Sequence, residues 1–254
     1  MKFLALIPAR YESSRFPGKP LAKIGGKEMI VRVCERVSKA GVECAVATDD
    51  KRIYDCVMDA GFNAVMTSAG CGSGTERVAE AYAALGSDAD VVINVQGDEP
   101  FIHPEQLESL KSIFINDPTT EIATLARKFD SNLSFDALFD PNLVKVVFSD
   151  KDEALYFSRS IIPYVRKAEW KEWLDMTEFF VHVGIYAYKA SVLRGIVALP
   201  VSTLEKAECL EQLRWLQNGY RVKVGITGHH TIGIDTPADL EAAEKSLRFF
   251  DVAD

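Results

Sequence analysis

Three cations fall within ten residues near the start of the chain. Arg10, Arg15 and Lys19 lie in Leu4-Ala-Leu-Ile-Pro-Ala-Arg-Tyr-Glu-Ser-Ser-Arg-Phe-Pro-Gly-Lys-Pro20. With the hydroxyls of Ser13 and Ser14, Gly18 and the unpaired amides of a loop leaving a strand, they make a surface suited to a polyanion, a triphosphate above all. A solvated basic loop has the same composition, so a second site has to decide. Val91-Val-Ile-Asn-Val-Gln-Gly-Asp98-Glu-Pro reads as a buried strand that delivers Asp98 at its carboxyl end, and Pro100 stops further pairing. A carboxylate facing a cationic phosphate loop is what Mg²⁺ requires, because the ion takes one or two carboxylates and fills its octahedron with phosphate and water. A turn acid or helix cap is the plainer role, and Glu99 and Glu105 read that way. Asp235 follows Thr231-Ile-Gly-Ile and precedes Pro237, a position that by itself reads as a helix N-cap.

Gly70-Cys-Gly-Ser-Gly-Thr-Glu-Arg77 puts small residues at a strand-to-helix turn, where a ligand can approach the backbone and a helix N-terminus favours anions or base edges. It is neither G-x-x-x-x-G-K-[ST] nor a dinucleotide fingerprint after the first strand, so neither a P-loop NTPase nor a dehydrogenase is supported.

These residues need a scaffold that gathers them. The apolar run Phe3–Ile7 reads as a buried strand that Pro8 ends. Met29–Ala40 has helical spacing with Gly41 as its stop, 42–47 a strand ending at Thr48-Asp49-Asp50, 51–60 a helix, 63–66 a strand, and the segment Gly70–Arg77 opens a helix that runs to about Leu85. Nearly continuous apolar strands alternating with helices signal a parallel sheet covered on both faces, with ligands beyond its carboxyl edge. The basic loop, Asp49-Asp50 and the glycine-rich turn all belong to that edge.

A chain of 254 residues with 48% hydrophobic composition can bury a full core. Its net charge of -8 argues against a general nucleic-acid binder, which needs a basic face. Five scattered cysteines without C-x-x-C imply neither a disulfide framework nor a thiolate zinc site, and a reducing cytoplasm is expected. No apolar run approaches the roughly 18 residues of a membrane span.

The stretches I-P-A-R-x-x-S-S-R-F-P-G-K-P-L, A-T-D-D, S-G-T-E-R and N-V-Q-G-D-E-P, in this order, resemble the 3-deoxy-manno-octulosonate (Kdo) cytidylyltransferase family. Tyr156-Phe-Ser-Arg159, His182-x-Gly-x-Tyr186, the run from Leu204 to Arg214 and Gly233-Ile-Asp235-Thr-Pro carry the resemblance over nearly the whole chain. It departs at Cys71, where the family usually has His, and at Lys189, where Arg is common. The resemblance implies an α/β fold with a Rossmann-like, mostly parallel sheet sandwiched by helices, of the nucleotide-diphospho-sugar transferase type. One cytidylyltransferase domain is expected, with about 1–127 and 220–254 as nucleotide-binding core and about 128–219 as a smaller sugar-binding and dimerisation part. It further implies Mg²⁺-dependent transfer of CMP from CTP to Kdo, for lipopolysaccharide, by a homodimer.

By the same resemblance Lys19, Arg15, Asp98 and Asp235 are catalytic, and Asp98 with Asp235 hold the metal. Pro8, Ala9, Arg10, Ser14, Lys19, Ser73, Gly74, Thr75, Gln96 and Gly97 bind the nucleotide. Arg159 pairs with the sugar carboxylate, while Arg15, Gln96, His182, Tyr186, Glu211 and Gln212 bind the sugar. His182 is a candidate general base, but an isolated His on a strand more often bonds or packs. A sialic acid or an amino-Kdo as acceptor, or a non-catalytic nucleotide-binding protein of the same fold, remain as alternatives.

In the second half, 144–148, 154–157 and 181–188 have strand composition, and 166–177, with Trp170 and Trp173, reads as a loop or short helix. Thr203 is placed as N-cap of one helix through Asn218, with Glu205 set down to helix-dipole chemistry. Strand 222–226 and a final helix capped by Thr236 follow.

Overall fold

Seven residues, Phe3–Ala9, form the central strand β1, and Ala5, Leu6 and Ile7 are wholly buried in it. The structure is a computed structural model that describes residues 1–13, 15–130, 134–231 and 233–250. It divides into two compact units, Met1–Glu108 with Thr231–Asp254, and Ser109–His230.

In the first unit, β1 is followed by a small hairpin of β2 (Lys23–Ile24) and β3 (Lys27–Glu28). Then come α1 (Met29–Lys39), β4 (Glu43–Thr48), α2 (Lys51–Asp59), β5 (Asn63–Met66), α3 (Gly74–Leu85) and β6 (Val91–Asn94), and the chain passes to the second unit within α4 (Pro104–Asn116). The strands run parallel in the order β6-β1-β4-β5, with Leu4 opposite Glu43, Phe3 opposite Val91 and Ala45 opposite Asn63. Parallel strands end at one edge, so the chain leaves β1, β4, β5 and β6 on the same side. Met29, Ile30, Val33, Cys34 and Val37 of α1 are buried at the expected helical spacing. Each such side chain contributes about 1.5–3 kcal/mol of burial.

Pro8 lies inside β1 rather than ending it, paired opposite Ala47. Leu6 C=O accepts from Val95 N–H, so the polar groups of every second residue, Pro8 included, face the β6 side. The β6 ladder has stopped at Asn94, and the missing proline N–H therefore leaves no ladder bond broken.

The second unit holds β7 (Ile122–Lys128), β8 (Lys145–Phe148), β9 (Ala154–Ser158), α5 (Trp173–Met176), β10 (Phe180–Lys189), α6 (Ala190–Val197), α7 (Thr203–Glu208), α8 (Gln212–Gln217) and β11 (Val222–Ile226). Its order is β11-β7-β10-β8-β9, parallel only between β11 and β7. β7 and β11 pair in parallel from Ile122–Val222 to Ala126–Ile226, and both fall in this unit. Phe129, Phe135, Leu138, Trp173, Phe179 and Val181 form its buried cluster.

The single helix expected from Thr203 to Asn218 is broken. Ser202, not Thr203, caps α7 in a reciprocal box with Glu205. Cys209 then turns left-handed at φ 51°, and α8 starts afresh. Arg159 explains the break, because its guanidinium takes the carbonyls of Glu208 at 2.6 Å and Cys209 at 3.2 Å, acceptors that a continuing helix needs for its own N–H groups. The final helix, α9 (Pro237–Phe250), belongs to the first unit and begins behind Thr236 as expected.

Candidate active site

Everything converges on the ammonium of Lys19, the first residue of a 3-10 turn, Lys19–Leu21. Its side chain is 14% exposed, and Nζ donates to Asp98 Oδ2 at 2.6 Å and to Asp235 Oδ1 at 3.2 Å. Arg15 Nη1 stands 3.4 Å from Asp235 Oδ2. Residues 19, 98 and 235 are thus brought into one charged cluster.

Local structure explains each placement. Gly97 carries Asp98 past the end of β1, where a Cβ at position 97 would stand 2.8 Å from Pro8 O, so only glycine fits. Ile234 is buried against Ile24, Met29 and Phe101, and its N–H donates to Asp98 C=O at 2.9 Å. That bond sets Asp235 beside Asp98. The cap of α9 is made by others: Asp239 N–H donates to Thr236 Oγ1 at 3.2 Å, and the Asp239 carboxylate accepts from the N–H of Thr236 and of Asp235. Asp235 is therefore not the N-cap that its position suggests, and its carboxylate faces cations instead. Nor is Glu99 a cap. Its Oε2 is enclosed without a hydrogen bond, and burial, with the neighbouring Asp98 charge, pushes the carboxyl up to about 8.

The glycine-rich turn lies against the same loop. Gly74 opens α3 with space for a Cβ only 3.4 Å from Pro8 Cγ, Thr75 is buried, and Ser73 Oγ caps the helix by accepting Glu76 N–H at 3.1 Å. Arg10 Nη2 donates to Cys71 O at 2.6 Å and so ties the basic loop to the turn. Cys71 Sγ in turn donates to Glu80 Oε2 at 3.0 Å, and Glu80 also accepts Ser68 N–H. Burial, and next the Glu80 carboxylate, push this thiol up to about 11, which leaves it inert. Ala9 ends β1 buried opposite Thr48, and Gln96 Nε2 donates weakly to Asn94 at 3.4 Å. Ser14 lies outside the described residues.

Sequence reasoning missed Arg77. Wholly buried on α3, it donates to Thr67 Oγ1 at 2.6 Å and to Asp49 Oδ2 at 2.9 Å, joining the ends of β4 and β5 beneath the turn. A charge at an inward helical position of an otherwise amphipathic segment was the available signal.

In the second unit, His182 and Tyr186 flank an irregularity of β10 between Val183 and Tyr186. Thr124 Oγ1 donates to Ile185 O at 2.7 Å and lies 2.9 Å from His182 Nε2. The hydroxyl has one proton, so Nε2–H is the donor to it and Nδ1 remains an acceptor. Burial pushes His182 down to about 3. Tyr186 is buried beside it, ring centroids 5.2 Å apart, and its hydroxyl makes no well-formed hydrogen bond among the described residues. Trp215 of α8 packs edge-on against Tyr186 at 5.0 Å, and Gln212, one turn earlier on α8 and buried, shares that helix face, with Glu211 just before it.

Arg159 has a structural task that the sequence did not announce. Besides the two carbonyls at the α7–α8 break, it donates to Pro141 O at 2.8 Å, and three of its five N–H groups are thereby used. Glu208 binds back to Ser158 Oγ and Arg159 N–H at 2.7 and 2.9 Å. Glu205, set down to dipole chemistry, instead forms a two-pronged pair with Arg214 at 2.7 and 2.6 Å, both side chains nearly buried.

Among the described residues no helix is long and apolar enough to cross a membrane. A family profile described as cytidylyltransferase matches residues 4–224. The 3-deoxy-manno-octulosonate cytidylyltransferase of Parabacteroides distasonis is 55% identical over 244 residues, covering 96% of this chain and 97% of that protein. That of Bacteroides thetaiotaomicron is 54% identical, covering 98% and 99%. The solved structure of CMP:2-keto-3-deoxy-manno-octonic acid synthetase complexed with CTP superposes with TM-score 0.89 at 42% identity, covering 98% of this chain and 99% of that one. A 4-diphosphocytidyl-2C-methyl-D-erythritol synthase from Anaerococcus prevotii, 14% identical with TM-score 0.62 over 97% of this chain and 99% of that one, shares the α/β fold. With its basic loop, Asp98 and the glycine-rich turn inside the matched residues, the chain belongs to the cytidylyltransferase family, among the 3-deoxy-manno-octulosonate cytidylyltransferases.

Proposed function

We propose that the protein joins Kdo to CMP. The anomeric hydroxyl of the sugar attacks the α-phosphorus of CTP, the bond to the β-phosphate oxygen breaks, and pyrophosphate leaves. The observation that carries this reading is Lys19 clasped between Asp98 and Asp235 on the loop that bears Arg10 and Arg15.

A triphosphate and a sugar carboxylate repel each other in water, and the chain's own cations offset that repulsion. Arg10 and Arg15 hold phosphate oxygens. Lys19, drawn from its two acids by the stronger negative charge, steadies the leaving pyrophosphate. Two hard oxygen donors already converge on one positive charge, so Asp98 and Asp235 fit Mg²⁺, and they would hold it. When bound, Mg²⁺ neutralises phosphate charge and lowers the pKa of the attacking hydroxyl. Backbone groups at Pro8, Ala9 and Gly97, with the turn Ser73-Gly74-Thr75, read the base.

On the sugar side, the two remaining N–H groups of Arg159 take the carboxylate, and Gln96, Glu211 and Gln212 take hydroxyls. His182 Nδ1 accepts from a hydroxyl and Tyr186 Oη pairs with another. A histidine held neutral down to about 3 is too weak a base to draw a proton from a sugar hydroxyl, which supports binding rather than general-base work. Phe139, Leu155, Tyr164 and Met176 of the second unit are exposed apolar groups, which supports a homodimer. The free cysteines support a reducing cytoplasm, where the product would feed lipopolysaccharide synthesis.

Pyrophosphate release is measured with each of the four ribonucleoside triphosphates against Kdo, an amino-Kdo and a sialic acid. Release with CTP and Kdo alone is expected. Release only with another acid sugar moves the specificity to the residues around His182, and CTP binding without release from any pair overturns the catalytic reading.

A further inference from the structure

The basic loop is closed at its neck by one main-chain bond, Gly18 N–H to Tyr11 O at 2.8 Å. Gly18 adopts φ 73°, and a Cβ there would stand 3.2 Å from three atoms of the Tyr11 side chain. The Tyr11 ring therefore packs directly on the glycine backbone. Over that ring lies Arg52, its guanidinium carbon 3.3 Å from the centroid. Arg52 belongs to the first turn of α2 and is itself fixed: Nε and Nη2 donate to the two oxygens of Asp50 at 3.0 and 2.6 Å. Asp50 also accepts Arg52 N–H at 2.9 Å as the N-cap of α2. The second acid of Ala47-Thr-Asp-Asp50 thus aims a cation at the loop.

We infer that Arg52, locked in place by Asp50, is a positioning residue that holds Tyr11 and thereby the neck of the 10–18 loop in the shape that presents Arg10, Arg15 and Lys19 to the nucleotide. Arg52 acts through Tyr11 and touches no substrate. A guanidinium over an aromatic face at an exposed site shifts a conformational balance by a factor of about two to five. A loop that is ordered before binding spares the ligand that part of the ordering cost, so the effect falls on KM for CTP rather than on kcat. The inference rests on reading the loop as the triphosphate site, but the state of its neck can be observed without any ligand.

Two readouts on Arg52→Ala, Tyr11→Leu and the double variant test it. In CTP-free protein, trypsin should cut the Arg15–Phe16 bond about threefold faster in each single variant, and no faster in the double. KM for CTP should rise about threefold in each single variant and not further in the double, with kcat within about twofold of the starting protein. Arg52→Lys, which keeps a cation over the ring, should recover part of both effects. Multiplying effects in the double variant would mean that Arg52 meets the nucleotide directly, and unchanged cleavage would mean that it does not hold the loop; either result overturns the inference. If the unaltered protein does not bind CTP, the functional reading falls while the cleavage readout still decides the brace.

Discussion

Lys19, Asp98 and Asp235 illustrate how much a single environment changes the meaning of a residue type. Asp235 precedes a helix-starting proline and reads as a cap, yet Thr236 and Asp239 do that work and leave its carboxylate for Lys19 and Arg15. His182 shows the same in the second unit. Half-buried and packed against Phe157 and Tyr186, it is held neutral, with its value pushed down to about 3 from an ordinary value near 6.5 by desolvation. The folded state thus binds the proton less well than the unfolded chain, so stability is full above about pH 6.5 and is lost as pH falls from there towards 3. Chemical denaturation at pH 7 and pH 5 should show a stability drop that shrinks by about 1–2 kcal/mol in His182→Gln. An identical drop in both proteins would mean that the imidazole is free to protonate.

Among the elements, α7 and α8 most plainly defy the local pattern. Apolar spacing from Thr203 to Asn218 satisfies one helix, but Arg159, 49 residues from Glu208, claims the carbonyls at the junction. No window of sequence contains both partners. The pair Glu205–Arg214 then fastens α7 to α8 with side chains 12% and 6% exposed. Removing one member of a nearly buried pair strands the other, so Glu205→Ala should lower unfolding free energy by about 3 kcal/mol in urea melts. A loss below about 0.5 kcal/mol would return Glu205 to simple dipole chemistry. The first-unit strands were legible because continuous apolar runs and loop chemistry agree. β7 was not, since its Ile-Ala-Thr-Leu-Ala core is poor in strand-forming side chains and gains its place by pairing with β10 and β11. Pro8 misled for a related reason, because whether a proline breaks a strand depends on where the neighbouring ladder stops.

For the whole molecule, a net charge of -8 makes the cationic loop a local exception, and the residues that answer it were readable because they occur as contiguous motifs at strand ends. The second-unit residues proposed for the sugar are scattered just after β9, along β10 and at the start of α8, where the sheet is largely antiparallel and periodicity alone says little about the site. The family assignment spans nearly the full chain, which makes the reaction itself the central claim. The most direct test is Mg²⁺-dependent pyrophosphate release from CTP and Kdo by the unaltered protein, Asp98→Asn and Asp235→Asn, each with its unfolding midpoint measured. We expect turnover by the first, a loss of at least about a hundredfold in kcat in both variants, and unfolding midpoints close to that of the unaltered protein. Full activity in either variant, with Mg²⁺ still required, would contradict a metal-holding role for that carboxylate, and absence of turnover by the unaltered protein would contradict the reaction.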